Sequence, residues 1–173
     1  MTPCEFTIRR AVRADIEPMR KLERRAAQIF LSVGYDFCAT GPIRDISEHQ
    51  RVIDEGATFI GEAGGVIAGF AMVEPMDGEA HLVEIDVDPP FQNRGLARSL
   101  IAEGEEWSRL NGFDAMTLTT YRDVPWNAPF YRRIGFAEFE PGAYRKGLFE
   151  TIEREAAWGF AFAPRIAMRK QLK

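Results

Sequence analysis

Apolar and polar residues alternate along the chain with two distinct periods, and each period predicts one kind of element. A period of two predicts strands, which we expect over residues 5–9, 58–62, 66–74, 80–87 and 116–121, from residue 135 onward, and around 166–172. Recurrence at helical spacing predicts helices, over residues 15–31, 43–55, 94–110, 126–134 and 147–158, with a loop over 32–42. The order of these elements predicts an α+β fold. Its mixed sheet of about seven strands would be an antiparallel meander followed by a βαβ crossover, flanked by helices.

Local signals predict how individual elements begin, end and pack. Asp15 is predicted to cap the first helix, and Gly112 to end the long helix over 94–110. The Gly64-Gly65 pair predicts a tight hairpin between two strands. The long helix is predicted to bury one apolar stripe, formed by Leu96, Leu100, Ile101, Trp107 and Leu110.

The composition limits the classes of protein to which the chain can belong. Its 173 residues have the length of one domain, which we expect to span 1–173. A net charge of −4 argues against a nucleic-acid partner, which would require a basic face. Cys4 and Cys38 lie far apart, and we find neither a secretory signal nor an apolar run that could cross a bilayer. We therefore expect a cytoplasmic protein with no membrane partner, and with two histidines we expect no metal.

The segment from residue 87 to residue 97 carries the candidate chemistry. A strand ends there, a turn with Pro89 and Pro90 follows, and Gly95 opens the long helix. The first turn of a helix offers unpaired N–H groups and the positive end of the helix dipole, which suit a phosphate. The pattern alone leaves two interpretations open. It predicts either a pyrophosphate site or a junction where glycine permits close packing of strand and helix.

Two motifs resemble those of the GNAT superfamily of acyl-CoA-dependent N-acetyltransferases. Residues 92–97 read Gln-x-x-Gly-x-Ala, which is similar to the family's Gln/Arg-x-x-Gly-x-Gly/Ala signature and follows the fourth predicted strand. Residues 125–136 are similar to a second motif of the family, with Tyr131 four residues before a Gly-Phe pair. The resemblance covers residues 5–172. It implies an acyltransferase that uses acetyl-CoA as cosubstrate.

The resemblance also implies where that cosubstrate binds. In this family the fourth and fifth strands separate, and the pantetheine arm lies between them. Backbone groups of Ile85, Asp86 and Val87 would bond the arm, and an amide near Val87 would stabilise the oxyanion. The pyrophosphate would lie against the loop and first turn of the long helix, formed by Gln92, Asn93, Arg94, Gly95, Leu96, Ala97 and Arg98.

The catalytic residues follow less directly from the motifs. By resemblance, Tyr131 is the acid that protonates the departing thiolate, although a tyrosine here can also simply pack its ring in the core. The general base is predicted on the fourth strand, where Glu84 is the first choice and His81 and Asp86 are alternatives. Many family members carry an Asn earlier in the loop after the fifth strand. Here Asn127 comes late, and it either contacts the pantetheine or caps the next helix.

The expected acceptor is a primary amine, on a small molecule or a peptide, which attacks the thioester directly in a ternary complex. The acidic balance disfavours a strongly acidic acceptor. Several aromatic residues are open to roles in holding a cation, in the core or in a homodimer: Tyr35, Phe37, Trp126, Tyr144 and Trp158. A catalytically silent acyl-CoA-binding sensor is the alternative to an enzyme.

Overall fold

The computed structural model describes residues 6–158 and 163–173, but not the side chain of Trp158, and Cys4 lies outside these residues. The strands are β1 (Thr7–Arg10), β2 (Ala57–Ala63), β3 (Val66–Met76), β4 (Glu79–Val87), β5 (Ala115–Tyr121), β6 (Ala137–Phe139) and β7 (Arg165–Gln171). The α-helices are α1 (Ile16–Ala26), α2 (Asp36–Thr40), α3 (Ile46–Glu55), α4 (Leu96–Leu110), α5 (Ala128–Arg133) and α6 (Lys146–Trp158). Short 3-10 helices cover Arg13–Asp15, Ala27–Val33 and Pro89–Phe91.

The strands form one mixed sheet in the order β1-β2-β3-β4-β5-β7-β6. The pairs β1–β2, β2–β3, β5–β7 and β6–β7 are antiparallel. β4 and β5 are parallel, with Ala80 opposite Met116 and Leu82 opposite Leu118, and α4 connects them along the chain. This confirms the predicted α+β class and its mixed sheet with a βαβ crossover.

The chain divides into two compact units. The first unit runs to Glu74 and includes Val83–Trp107, and the second comprises Pro75–Leu82 and Ser108–Lys173. The fully buried centre of the first unit is formed by Met19, Leu22, Val52, Ile60, Phe70 and Met72. That of the second includes Met116, Leu118, Leu148 and Met168. The single domain over 1–173 stays a prediction. No helix in the described part of the chain has the length and apolar character needed to cross a membrane.

The region after β1 contains more helix breaks than the periodicity predicts. The first helix ends at Ala26 and not at residue 31, and a 3-10 helix continues the chain to Val33. The predicted loop over 32–42 contains α2, which is only five residues long. Such short turns lack the repeats from which helical spacing can be recognised.

Two side chains of the predicted helices differ from expectation. Asp15 occupies the N-cap position of α1 as predicted, but its side chain makes no capping hydrogen bond. Its carboxylate accepts hydrogen bonds from the Val12 amide and from the guanidinium of Arg9, all at 2.8 Å, because a charged partner from β1 competes successfully for it. Leu110 is 77% exposed, whereas Ser108 is fully buried. The buried stripe of α4 continues from Leu100 through position 104 to Ser108, and Leu110 lies beyond it on the far side of the helix.

The start of α4 is held against the sheet by Leu96, which is 1% exposed. Gly61 on β2 and Gly69 on β3 face each other in register. A Cβ at Gly61 would lie 2.5 Å from the Leu96 side chain, and one at Gly69 would lie 3.1 Å from it. A Cβ at Gly69 would also come within 2.8 Å of the Asp86 carbonyl oxygen. The absence of side chains at these two glycines therefore lets α4 begin close to the sheet.

We expect Gly61→Ala to destabilise the fold by about 1–3 kcal/mol, because it forces atoms into a packed core. Leu96→Ala should cost about 2–5 kcal/mol through the cavity it leaves. Both substitutions act on the same contact, so the double variant should lose less stability than the sum of the single losses. Denaturant unfolding of the four proteins measures this coupling. Strictly additive losses would contradict the contact.

Candidate functional site

The loop between β4 and α4 presents a series of unpaired backbone amides. Asn93 and Gly95 adopt left-handed conformations, with φ of 59° and 86°, so the chain bends sharply twice before α4. The hydrogen bonds of α4 begin with the Ser99 amide, which donates to the Gly95 carbonyl at 3.1 Å. The backbone amides of residues 93–98 donate to no group among the described residues. We call these amides the amide row.

The surroundings of Gly95 argue against one of the two interpretations of this segment. A Cβ added at Gly95 would meet no heavy atom within 4 Å, so close packing does not explain the glycine. Its φ of 86° does explain it, because L side chains rarely adopt that conformation. The space beside it is also open. An exposed left-handed glycine next to unpaired amides lets a phosphate approach the backbone.

The side chains around the amide row have distinct roles. Gln92 fixes the loop to the strand, since its Nε2 donates to the carbonyl of Val87 at 3.0 Å. Arg94 and Arg98 are exposed and add positive charge beside the row. The buried side chain of Leu96 leaves only its amide for a ligand. The unpaired groups that these residues offer are therefore mainly backbone amides.

An ion pair that the sequence did not predict secures the start of the loop. Asp88 directly follows β4, and its amide donates to the Ala68 carbonyl at 2.8 Å. Its carboxylate accepts two bonds from Arg25 on α1, at 2.9 and 2.7 Å. A two-bond pair of this kind fixes orientation as well as distance. No local pattern connects Arg25 with Asp88, because 63 positions separate them.

Three glutamates of the first unit contact Arg44, and the charge of a fourth carboxylate, that of Asp86, interacts with it. Oε2 of Glu84 lies 3.2 Å from Nη2 of Arg44, and Oε1 of Glu48 lies 3.4 Å from its Nη1. The backbone amide of Arg44 donates to Oε1 of Glu23 at 2.9 Å. Burial alone would lower the pKa of Arg44, but the charges of these glutamates raise it overall. We call Glu23, Glu48, Glu84 and Asp86 the acidic cluster.

Asp86 contributes to this cluster a buried carboxylate oxygen, Oδ2, that accepts no hydrogen bond from any described residue. Burial is the largest cause that raises the pKa of Asp86 well above its usual range, and the negative charges of Glu84 and Glu23 add to it. Arg44 offsets only part of this effect. A carboxylate with a raised pKa is a better proton acceptor than an ordinary aspartate.

His81, the other alternative for the base, lies in the second unit and is 3% exposed. Its Nδ1 is 3.0 Å from Oγ1 of Thr117 on β5. The Thr117 hydroxyl also donates to the carbonyl of Ala80, at 3.2 Å. These contacts bridge paired strands, and they favour a structural role for His81.

Tyr131 and Asn127 also belong to the second unit. The half-buried Tyr131 meets the rings of Phe130 and Phe136 edge-on, with centroids 5.3 and 5.8 Å away. Asn127 precedes α5, and its carbonyl accepts a hydrogen bond from the Tyr131 amide at 3.1 Å. Asn127 occupies the N-cap position of α5, as the capping interpretation expects, but its side chain makes no capping hydrogen bond. The acid role of Tyr131 and a contact of Asn127 with pantetheine stay predictions.

The aromatic residues proposed for the acceptor occupy different environments. Tyr35 and Phe37 stack with their centroids 5.5 Å apart. Trp126 is half-buried, and Tyr144 is 77% exposed with the guanidinium of Arg145 over its ring. None of these positions by itself defines an acceptor.

A model of the acetyltransferase (GNAT) family matches residues 19–136. The match covers more than half of the chain and includes both the amide row and Tyr131. The chain belongs to the GNAT family of acetyltransferases. The resemblance carried by the two motifs is thus confirmed, and the protein is an acyltransferase by family.

Solved structures of low sequence identity share the fold of this GNAT protein. The ribosomal-protein-S18-alanine N-acetyltransferase of Escherichia coli is 19% identical with a TM-score of 0.69, over 98% of this chain and 95% of its own. PaiA N-acetyltransferase of Thermoplasma acidophilum, solved with coenzyme A, is 15% identical with a TM-score of 0.69, over 96% and 99%. N-acetylglutamate synthase of Neisseria gonorrhoeae, solved with coenzyme A and N-acetyl-glutamate, is 15% identical with a TM-score of 0.74, over 98% and 35%.

Gly95→Ala should weaken the binding of coenzyme A, because the methyl group enters the open space beside the amide row. The left-handed backbone adds a strain of about 1–2 kcal/mol. Gly64→Ala is the matched control, since Gly64 has a φ of 58° and nothing within 4 Å of an added Cβ, but lies in the β2–β3 hairpin. We expect similar losses of thermal stability in both variants. Calorimetric titration should show affinity reduced by roughly tenfold or more only for Gly95→Ala. Equal affinities in the two variants would contradict the assignment of the amide row.

Proposed function

We propose that this GNAT acetyltransferase moves the acetyl group of acetyl-CoA to a primary amine by direct attack, with both substrates bound together. The observation that carries the proposal is the amide row beside an exposed left-handed Gly95 at the start of α4. Unpaired amides at a helix start favour a diphosphate. Two relatives in fold, PaiA N-acetyltransferase and N-acetylglutamate synthase, were solved with coenzyme A, which supports the same cosubstrate here.

Acetyl-CoA supplies an acetyl group that is activated as a thioester, and the chain supplies the groups that hold it. In this proposal the amide row binds the pyrophosphate, and Arg94 and Arg98 neutralise its charge. Backbone groups of Ile85, Asp86 and Val87 bond the pantetheine arm, and Asn127 contacts it. The amide of Val87 donates to the carbonyl oxygen as that oxygen gains negative charge.

Asp86 is our proposed general base. An alkylamine has a pKa near ~10, so releasing its proton costs about 4 kcal/mol at pH 7. Glu84 was the first choice from the sequence, but its carboxylate is engaged by Arg44. Asp86 has an unpartnered Oδ2 among the described residues and a raised pKa. Glu84 then acts on the reaction through its charge, which raises the pKa of Asp86.

Tyr131 is our proposed acid, which returns a proton to the departing thiolate. Its place in the motif before Gly135-Phe136 supports this role. The contacts of its ring with Phe130 and Phe136 hold the side chain in one orientation, which an acid needs in order to reach the sulfur.

The acceptor is proposed to be a small molecule or a peptide. The E. coli relative in fold is named for an alanine of a ribosomal protein, and the Neisseria relative for the synthesis of N-acetylglutamate. The whole proposal is tested by following thiol release from acetyl-CoA across a panel of primary amines. Release that depends on an amine supports the enzyme. Binding of coenzyme A without release for any amine would instead favour an acyl-CoA-binding sensor.

Replacing Asp86 by Asn should raise stability and lower the rate. The unfolded chain releases the proton of Asp86 in the ordinary range near ~3.9, while the folded chain holds it to higher pH. The folded state then binds more protons, so this residue destabilises the fold increasingly as pH rises above that range. Asp86→Asn should therefore raise the Tm at pH 7 and change it little near pH 3. It should also lower kcat/KM about 100-fold. The fall of kcat/KM at low pH, which is the acid limb of the pH–rate profile, should disappear.

Glu84→Gln is the matched control for that measurement. It removes the charge that pairs with Arg44, so it should lower the Tm at pH 7. A Glu84→Gln protein that loses the acid limb while Asp86→Asn keeps it would return the base role to Glu84.

Tyr131→Phe should lower kcat about 100-fold, because it removes the acid and keeps the ring. Its affinity for coenzyme A should not change. Tyr121→Phe removes a hydroxyl from the same unit and is the control. The ring of Tyr121 lies 4.5 Å from the guanidinium carbon of Arg165, and we expect its rate to stay near that of the wild type. An undiminished rate in Tyr131→Phe would exclude Tyr131 as the acid.

A further inference from the structure

The outward side of α1 concentrates positive charge that the proposed acetyl-CoA site does not use. The helix buries Ile16, Met19, Leu22 and Ala26. The residues at positions 17, 20, 21, 24 and 25 lie away from that buried side, and four of these five are Arg or Lys. The chain as a whole has a net charge of −4. This concentration is therefore a local feature and not a consequence of composition.

An open surface depression of about 400 Å³ lies against this side of α1. It is lined by Glu17, Arg20, Lys21, Arg24, Arg25 and Ile43, all of the first unit. Because it is open to solvent, a ligand there would be held by charge and hydrogen bonds and not by enclosure. We call it the basic cavity.

Two of the four cations in the basic cavity are already paired. Nη1 of Arg20 lies 3.1 Å from a carboxylate oxygen of Glu17. Arg25 forms the two-bond pair with Asp88 that secures the loop. Their charges are therefore largely compensated within the protein.

The other two cations, Arg24 and Lys21, form no ion pair with any described residue. Nη1 of Arg24 donates to the carbonyl oxygen of Gly41 at 2.6 Å and to that of Ala39 at 3.4 Å. These bonds hold the guanidinium in place without neutralising it. A positioned guanidinium beside an exposed ammonium suits a carboxylate or a phosphate.

The basic cavity is connected to the acidic cluster through Arg44. Nε of Arg20, in the cavity wall, donates to the carbonyl of Arg44 at 3.0 Å. The side chain of Arg44 pairs with Glu84 of the cluster at 3.2 Å. Arg44 therefore contacts both a wall residue of the basic cavity and a carboxylate of the acidic cluster.

We infer that the acceptor carries a carboxylate or a phosphate besides its amine, and that this anionic group binds in the basic cavity against Arg24 and Lys21. The inference rests on the proposed function, because that function places the amine beside Asp86, its proposed general base. It reverses the expectation from net charge, which disfavoured an acidic acceptor. Charges beyond about 8 Å are screened at physiological salt, so the local cations and not the net charge act on the ligand.

The test compares amines that differ only in the anionic group. Propylamine is paired with β-alanine, and ethanolamine with phosphoethanolamine, in the thiol-release assay. The anionic member of at least one pair should have a kcat/KM about tenfold higher or more, as expected for a charged hydrogen bond. The two pairs distinguish a carboxylate from a phosphate. Lys21→Gln and Arg24→Gln should each remove most of this advantage and leave the neutral amines unaffected.

Lys146→Gln is the matched control, because it removes the same charge from an exposed position of α6 in the second unit. It should keep the preference for the anionic amine. If Arg24→Gln fails to fold because its two carbonyl bonds are lost, Lys21→Gln carries the test, since Lys21 is exposed and makes no such bond.

Two results would overturn the inference. The first is turnover of amines with no preference for the anionic member, which leaves the proposed function intact. The second is a failure of the wild type to bind phosphate, which is measured if no amine is acetylated and the proposed function therefore fails.

For this measurement, inorganic phosphate is titrated in saturating coenzyme A, which keeps the amide row occupied. Phosphate binding that is lost in Lys21→Gln would support the basic cavity as an anion site, and its absence in the wild type would refute it.

Discussion

The contact between Leu96 and the two facing glycines of β2 and β3 is the constraint on which the candidate site depends. Side chains at those glycines would keep the helix away from the sheet, and their absence lets Leu96 close the distance. With Leu96 buried, the preceding residues cannot turn inward, and Gly95 faces open space. The pair formed by Arg25 and Asp88 restrains the other end of the loop. Packing at one end and a charge pair at the other thus set the direction of the amides.

The electrostatics of the first unit are costly for folding and useful for a ligand. The acidic cluster gathers four carboxylates near Arg44, and burial keeps the pKa of Asp86 high. On α1 of the same unit, Arg24 and Lys21 form no ion pair with any described residue. A fold selected for stability alone would pair or expose a buried carboxylate such as that of Asp86. Its persistence is expected where a ligand completes the charge balance.

Much of this fold can be predicted from the sequence, because long strands and helices repeat a pattern over many residues. The β2–β3 hairpin and α4 are examples, and the motif also identifies Gly95 in the loop, although its left-handed conformation appears only in the structure. Short turns such as α2 carry too few repeats to be recognised. The predicted burial of Leu110 at the end of α4 is wrong, because an apolar residue at a helix end can remain exposed. The pair of Arg25 with Asp88 and the neighbours of Asp86 depend on contacts between distant segments, which only the folded chain reveals.

The different roles proposed for Glu84 and Asp86 show why contacts between distant segments determine the chemistry of the site. The two residues lie on one strand, two positions apart, and periodicity treats them alike. Arg44 pairs with Glu84. Asp86 instead lies in a buried setting, where the negative charge of Glu84 acts on it. Passing a proton from an alkylammonium with a pKa near ~10 to an ordinary aspartate near ~3.9 is uphill by about 8 kcal/mol. Each pKa unit by which Asp86 is raised lowers that cost by about 1.4 kcal/mol. A single guanidinium therefore distinguishes a carboxylate that holds the site together from one that is suited to accept the proton.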